Sequence, residues 1–296
     1  MSRLSFAARA KREICENPLA QNLPEVELAA MTLAGASLQN DGSLRYRTES
    51  PLVASRIAGC IERVSSLQAE IAGSATRTVQ VRDGAGLLSA LGLSAEHQDQ
   101  MPAGALNTRR GRIASLRGAF LACGTISDPK KGYHLEFVTP NGAFARLLQD
   151  TLRRVGISAK ISQRRTLFVL YLNEGDSVAS LLALIGAHTS ILNLENVRIF
   201  KETRNNVNRA VNCETANINK AVNAALVQRR SIELIDREMG LGKLSASLQE
   251  AARLRLQYPE ATLQELCELS GTTKSGMNHR LRKINAIARD ISGEEL

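Results

Sequence analysis

Tryptophan is absent from this 296-residue chain, and aromatic residues make up only 3% of it. Any core must therefore be built from Leu, Ile, Val and Ala. No stretch reaches ~18 continuous apolar residues, which excludes a transmembrane helix and predicts no membrane partner. Cysteine is sparse: Cys15, Cys60, Cys123, Cys213 and Cys267 stand far apart and are odd in number. No CxxC pair or His/Cys cluster has zinc-ligand spacing. His97, His134, His188 and His279 are equally scattered. The expectation is reduced thiols, no metal and no cofactor. The N-terminus, MSRLSFAARAKREI, carries charge but no apolar core and no small-residue cleavage site. It predicts a short amphipathic helix with Leu4, Ala7, Ala8 and Ile14 turned inward rather than a signal peptide, and a cytoplasmic location.

What is present is an ordinary globular composition, 44% apolar and 23% charged, which excludes wholesale disorder. The length suggests about two domains. The net charge of +9 is unevenly placed. Residues 101–170 hold 12 bases and 3 acids, whereas residues 1–100 hold 10 and 11. Residues 171–195 hold no base and 3 acids, and residues 196–296 hold 16 bases and 12 acids. A basic block concentrated in one segment points to a polyanion surface more strongly than a smeared excess does.

Two stretches share one pattern. In the first, residues 25–38 predict a helix and 42–48 a strand; Pro51 opens a second helix, and 69–81 read as strands around a Gly-Ser turn. Residues 83–111, rich in Gly, Ala and short polar residues, read as a linker with one helical turn near Leu87–Leu91. The pattern then returns. Residues 112–122 predict a helix, 132–139 a strand, and 141–155 a helix closed by Gly156. Strands at 157–163 and 166–172 flank Arg164 and Arg165, and 174–185 predict a helix. Two copies spaced by about 85 residues predict a duplicated α+β domain over 1–195, with halves near 1–82 and 112–190. Beyond residue 190 strand signals stop, and residues 196–296 predict an all-α domain.

The segment Leu116-Arg117-Gly118-Ala119-Phe120-Leu121-Ala122-Cys123-Gly124 resembles a LAGLIDADG element. Leu28-Ala29-Ala30-Met31-Thr32-Leu33-Ala34-Gly35-Ala36 is a weaker match in the first half. The resemblance implies two helices packed through small residues, with sheets forming a saddle for DNA. LAGLIDADG nucleases place an acid before the final Gly of each motif, and the two carboxylates hold catalytic metal ions. The matching positions here are Gly35 and Cys123, neither an oxygen ligand suited to Mg²⁺. Asp128 follows the helix end and is a poor substitute. The scaffold is therefore expected without strand cleavage. The basic block includes Arg109, Arg110, Arg112, Lys130, Lys131, Arg153, Arg154, Lys160, Arg164 and Arg165. Lys130, Lys131, Arg164 and Arg165 are the candidate phosphate contacts.

The C-terminal segment 262–291 reads as a helix-turn-helix. Residues 262–269 predict a short helix with Thr262 and Glu265 as a capping box. Ser270-Gly271-Thr272 is the turn, and residues 273–289 form a basic second helix burying Met277, Leu281, Ile284 and Ala288. Lys274, Ser275, Asn278 and His279 stand near its start, where base edges are read: Asn suits adenine and Lys suits guanine. Arg280, Arg282 and Lys283 follow as phosphate ligands. Arg280 takes a place where an apolar residue is common, which suggests a longer turn. Upstream, Asn205, Asn208, Asn212, Asn219 and Asn223 form one helical stripe beside Val207, Val211, Ile218 and Val222. That stripe suits either a nucleic-acid contact or hydrogen bonding between domains.

Residues 116–139, 184–225 and 274–288 together make the chain resemble the WhiA family of bacterial regulators. The resemblance implies a degenerate LAGLIDADG domain joined to a helix-turn-helix related to sigma-factor region four. It also implies a DNA-binding regulator of sporulation, septation, cell division and chromosome segregation, associated with the nucleoid. The chain departs from the family at Gly35-Ala36, where a polar residue and Gly are usual. The expected partners are double-stranded DNA and, among proteins, another transcription factor or RNA polymerase, with no small-molecule substrate. The rival readings are a metal-dependent DNA-processing enzyme and an RNA-binding or scaffolding protein. Comparing duplex DNA with RNA at fixed salt separates the last from the first.

Overall fold

Proline and short polar caps set the helix starts. A computed structural model describes residues 4–18, 23–93 and 100–293, so His97 and the middle of the expected linker, residues 94–99, lie outside the described residues. The chain divides into two compact units, residues 1–201 and 202–296.

The first unit opens with α1 (Phe6–Glu16) and α2 (Pro24–Gly35), then β1 (Ser37–Leu38) and β2 (Leu44–Thr48). It continues with α3 (Pro51–Val64), β3 (Glu70–Ala72), β4 (Arg77–Val81) and α4 (Gly84–Ala90). The order then repeats with α5 (Arg109–Cys123), β5 (Gly124–Ile126), β6 (Leu135–Thr139), α6 (Gly142–Arg154), β7 (Lys160–Arg164), β8 (Leu167–Leu172) and α7 (Gly175–Ile185). Each half builds a four-stranded antiparallel sheet, ordered β1-β2-β4-β3 and β5-β6-β8-β7. The identical strand order is the duplication seen in the sequence. Pro24 and Pro51 sit at helix starts, where a missing N–H costs nothing. Asn141 and Thr108 cap their helices by accepting from Phe144 N at 3.0 Å and Gly111 N at 3.0 Å.

Several boundaries differ from the expectation. The 25–38 helix stops at Gly35, because Ser37 and Leu38 leave it to pair with Arg45 and Leu44. Gly124–Ile126 likewise forms an edge strand against β6. Strands of two or three residues are too short to show alternation. The supposed linker is largely structural: Asp83 caps α4 through Gly86 N at 2.8 Å, and Leu87, Leu88, Leu91 and Leu93 are buried in the core. Helix α5 begins at Arg109, three residues before the expected start at 112. Arg164 belongs to β7, and the tight turn is Arg165-Thr166, with Arg165 at φ +57°. In α1 the buried face is Phe6, Ala10 and Ile14, while Leu4 is exposed.

Helices α2 and α5 cross face to face. A Cβ at Gly118 would collide with the carbonyl oxygen of Glu27, and it would lie 3.2 Å from the Ala30 Cβ. Only glycine permits this approach. At the same crossing the fully buried Glu27 carboxylate accepts from Arg56 Nε and, at 3.0 Å, from Arg56 Nη2. Arg117 Nη1 approaches Glu27 Oε2 at 3.5 Å, and Arg117 Nε donates to the Ile185 carbonyl at 3.1 Å. Arg56 Nη1 donates to the Asn17 and Ile14 carbonyls at 2.8 and 3.2 Å. One carboxylate and two guanidiniums thus tie α1, α2, α3, α5 and α7 together. Thr139 Oγ1 adds a bond to the Ala34 carbonyl at 3.0 Å, linking the halves near the helix ends.

Helix α8 (His188–Glu238) begins in the first unit, where Glu13 caps it by accepting from Thr189 N and, at 3.0 Å, from Ser190 N. The second unit continues with α9 (Ala246–Gln257), α10 (Leu263–Ser270) and α11 (Lys274–Ser292). Its core joins Ile232, Ile235, Leu248, Ala252, Leu266 and the inner face of α11.

Replacing Glu27 by Gln leaves two buried guanidiniums without a counter-charge. The expected cost is about 3–5 kcal/mol. Gly118→Val, which drives a branched side chain into backbone, should cost about 3 kcal/mol or more. Urea denaturation of the full chain reads both; changes below about 0.5 kcal/mol would show that the crossing does not hold the unit together.

Candidate nucleic-acid interface

The two positions where a metal-binding carboxylate would stand lie at the C-terminal ends of α2 and α5. A Cβ at Gly35 would meet open space. Beside it a cavity of about 90 Å³ is lined by Thr32, Leu38, Leu44, Leu88 and Asn141 among others. Cys123 carries a thiol whose pKa burial pushes up to about 12, so it stays protonated. Lys11 of α1 lies near it, with its Nζ 5.9 Å from the Phe120 ring centroid. Burial lowers the pKa of Lys11, while Cys123, Cys15 and Glu49 oppose that shift. A protonated thiol, a glycine and an ammonium group make a poor cation site. Among the described residues no group of three or more His, Cys, Asp or Glu is placed to hold a metal ion. Despite the departure at Gly35-Ala36, the motif helices meet in close contact, because the approach is made further back, at Gly118 and Glu27.

The basic block separates into structural and exposed parts. Arg117 is buried in the helix crossing, and Arg112 donates to the Leu106 carbonyl at 3.0 Å. Arg153 and Arg154 both pair with Asp150. Lys130 and Lys131 are exposed in the β5–β6 connection, which Lys201 fixes by donating to the Pro129 carbonyl at 2.7 Å. Arg164 and Arg165 are exposed at the β7–β8 turn, with Arg164 Nη1 3.8 Å from Glu136. The register pairs Leu135 with Leu172 and Thr139 with Phe168. It therefore sets the Lys130-Lys131 connection and the Arg165 turn at opposite ends of the sheet; they do not form one cluster. The outer face of the first sheet carries two further bases outside the 101–170 block. Arg45 and Arg47 alternate with buried Leu44 and Tyr46, and Arg45 donates to Gln80 Oε1 at 3.1 Å. The alternation in LRYRT (44–48) was the available signal.

The C-terminal hairpin matches its sequence closely. Thr262 Oγ1 accepts from Glu265 N at 3.2 Å and Glu265 Oε2 accepts from Thr262 N at 2.6 Å, closing the capping box. Gly271 adopts φ +64°, which ends α10 as glycine can and most residues cannot. Thr273 then caps α11 through Gly276 N at 3.2 Å. Met277, Leu281, Ile284 and Ala288 are buried. At 3.6 residues per turn, Ser275, Asn278, His279 and Arg282 fall within roughly 100° of arc on the other side. Ser275, His279, Arg282 and Lys283 are exposed, and Asn278 is half-buried. Lys274 is exposed at the helix start. Arg280 is different: its Nη1 donates to Glu250 Oε2 at 2.8 Å, pinning α11 to α9. The buried apolar residue is the next one, Leu281, and the Arg280 guanidinium shares its charge with Glu250 at a part-exposed position. Asn205, Asn208, Asn212, Asn219 and Asn223 are exposed along α8.

A duplicated α+β scaffold of LAGLIDADG type, with Gly35 and Cys123 at the ends of its paired helices and a helix-turn-helix after it, defines a recognisable class. The model of the WhiA LAGLIDADG-like domain matches residues 112–204, and that of the WhiA C-terminal HTH domain matches residues 207–288. The chain is 37% identical to the probable cell division protein WhiA of Clostridium acetobutylicum, over 98% of this chain and 99% of that one. It is 38% identical to the protein of the same name from Heliobacterium modesticaldum, over 98% and 97%. The chain belongs to the WhiA family. In fold it is similar to the crystal structure of full-length DUF199/WhiA from Thermatoga maritima, with a TM-score of 0.61 at 22% identity, covering 97% and 99% of the two chains. Among the described residues no helix is long and apolar enough to cross a membrane.

Burial raises the thiol pKa of Cys15, Cys60 and Cys123 to about 12 in each case. Since the thiolate is the nucleophile, iodoacetamide at pH 8 should alkylate exposed Cys213 quickly. Those three should react only in denaturant. Peptide mass mapping reads the order, and rapid labelling of Cys123 in the native chain would contradict its placement.

Proposed function

We propose that this chain is a non-enzymatic, sequence-specific regulator of transcription that binds double-stranded DNA. The observation that carries the reading is α11. Its apolar face is locked into the second unit, and Ser275, Asn278, His279 and Arg282 form a polar arc on the opposite side. A helix held this way can present side chains to a major groove without losing register. Asn278 has the donor and acceptor for adenine, Lys274 suits guanine, and Arg282 and Lys283 suit phosphate. Lys130, Lys131, Arg164 and Arg165 would add sequence-independent phosphate affinity at two separate places on the first unit.

In this reading the working division is 1–195 and 196–296, with base recognition in 262–291. The missing carboxylates at Gly35 and Cys123 support a scaffold without strand cleavage. Metal-assisted hydrolysis needs oxygen ligands to hold the ion and activate water. No cofactor or small-molecule substrate enters the reading. The name shared by the relatives supports a role in cell division. The finer roles are sporulation or septation and chromosome segregation, exercised at the nucleoid in the cytoplasm. Another transcription factor or RNA polymerase would be the protein partner.

Fluorescence anisotropy with genomic duplex fragments over a salt series tests this. The Lys274→Ala/Asn278→Ala variant should lose about tenfold or more of its preference among fragments while keeping a steep salt dependence. Lys130→Ala/Lys131→Ala should keep the preference but lower the salt slope by about two. Fragments should stay intact with Mg²⁺. Undiminished discrimination by the α11 variant, equal affinity for RNA, or cut fragments would overturn the reading.

A further inference from the structure

The helix-turn-helix is electrically divided. Between Gln257 and Thr273 stand three acids, Glu260, Glu265 and Glu268, and no Lys or Arg. From Lys274 to Arg289 there are five bases and no acid. The acidic stretch lines an open groove of about 890 Å³, formed by the turn after α9 and by α10. Its apolar surface comes from Tyr258, Pro259 and Leu269, with Tyr258 39% and Leu269 52% exposed. A buried cation shapes the groove. Arg255, itself 3% exposed, donates through Nη1 to the Ala261 carbonyl at 2.7 Å and reaches those of Pro259 and Tyr258 at 3.4 and 3.5 Å. Its Nε donates to Gln228 Oε1 at 3.0 Å. The turn is therefore held in place before any partner arrives.

The three carboxylates keep their charge available. Glu265 accepts from Thr262 N, and Glu268 accepts from Gln264 Nε2 at 3.4 Å. Among the described residues none of the three pairs with a Lys or Arg, whereas Glu250 on α9 is taken by Arg280. They are not grouped tightly enough to hold a metal ion. Phosphate is repelled by such a surface, so the groove is unsuited to nucleic acid. The complementary ligand carries positive charge around an apolar anchor.

We propose that this groove docks a cationic segment of another protein, with Lys or Arg side chains against Glu260 and Glu268 and an apolar side chain seated on Tyr258 and Leu269. This surface is distinct from the polar arc of α11 and does not depend on the DNA reading. Affinity comes from the buried anchor, and selectivity from the carboxylates.

The test uses the full chain and a fluorescein-labelled 12-residue peptide of alternating Arg and Leu. Controls are an alternating Glu/Leu peptide and an Arg/Ser peptide. The chain as a whole is cationic at +9, so general attraction works against the Arg peptides. The Arg/Leu peptide should bind, and both controls should bind about tenfold more weakly or worse. Glu260→Lys/Glu268→Lys should weaken binding about tenfold, and Leu269→Ser several-fold, with duplex-DNA affinity of Leu269→Ser unchanged. A photo-crosslinker on the peptide should label residues 257–269. This last readout needs no variant and decides the matter if one misfolds. Equal binding by the variants, crosslinks elsewhere, or equal binding of the Arg/Ser peptide would overturn the proposal.

Discussion

The crossing of α2 and α5 is the constraint on which the first unit depends. Gly118 lets one backbone rest against the Glu27 carbonyl, and the Glu27 side chain then receives Arg56 and Arg117. Burying a carboxylate is costly unless it is paired and hydrogen-bonded. Here the guanidiniums also donate to carbonyls at the ends of α1 and α7, so their positions are fixed from several sides. The two sheets are carried by this crossing, one on each half.

The closest approach of the two helices does not depend on the residues at Gly35 and Cys123. Close approach is secured in the middle of the helices, while Gly35 and Cys123 stand at their ends. The ends still pack, through Ala34, Leu121 and the Thr139 bond to the Ala34 carbonyl, but the closest backbone approach does not fall there. Where a nuclease would need carboxylates, this chain has a small cavity, a protonated thiol and a neighbouring ammonium. In the second unit Met277, Leu281, Ile284 and Ala288 seat α11, Arg280 adds an ion pair to Glu250 on α9, and Ser275, His279 and Arg282 remain exposed. Groove and arc divide that small domain into an acidic and a basic part.

Much of this was legible in the sequence. Helix starts at Pro51 and Thr262, the αL position of Gly271 and the four buried residues of α11 all follow from local chemistry that tertiary packing does not override. The small-residue run around Gly118 marked the close helix pair. What was not legible depended on distant partners. Nothing local marks Glu27 as buried, since its guanidiniums arrive from residues 29 and 90 positions away. The strands at Ser37–Leu38 and Gly124–Ile126 exist only because a neighbour pairs with them. Helix α4 was legible only as one turn near Leu87–Leu91, because Gly84, Ala85 and Gly86 hid its start. The separation of Lys130-Lys131 from Arg164-Arg165 required the sheet register, and the pairing of Arg280 required α9.

Amide and side-chain NMR spectra of the full chain, recorded with and without a duplex fragment that it prefers, bear most directly on where DNA is read. Resonances of Ser275, Asn278, His279 and Arg282 should move on binding. Those of Gly35 and Cys123 should stay in place, with or without Mg²⁺. Shifts centred on the ends of α2 and α5, with α11 unmoved, would contradict the assignment of recognition to the C-terminal helix.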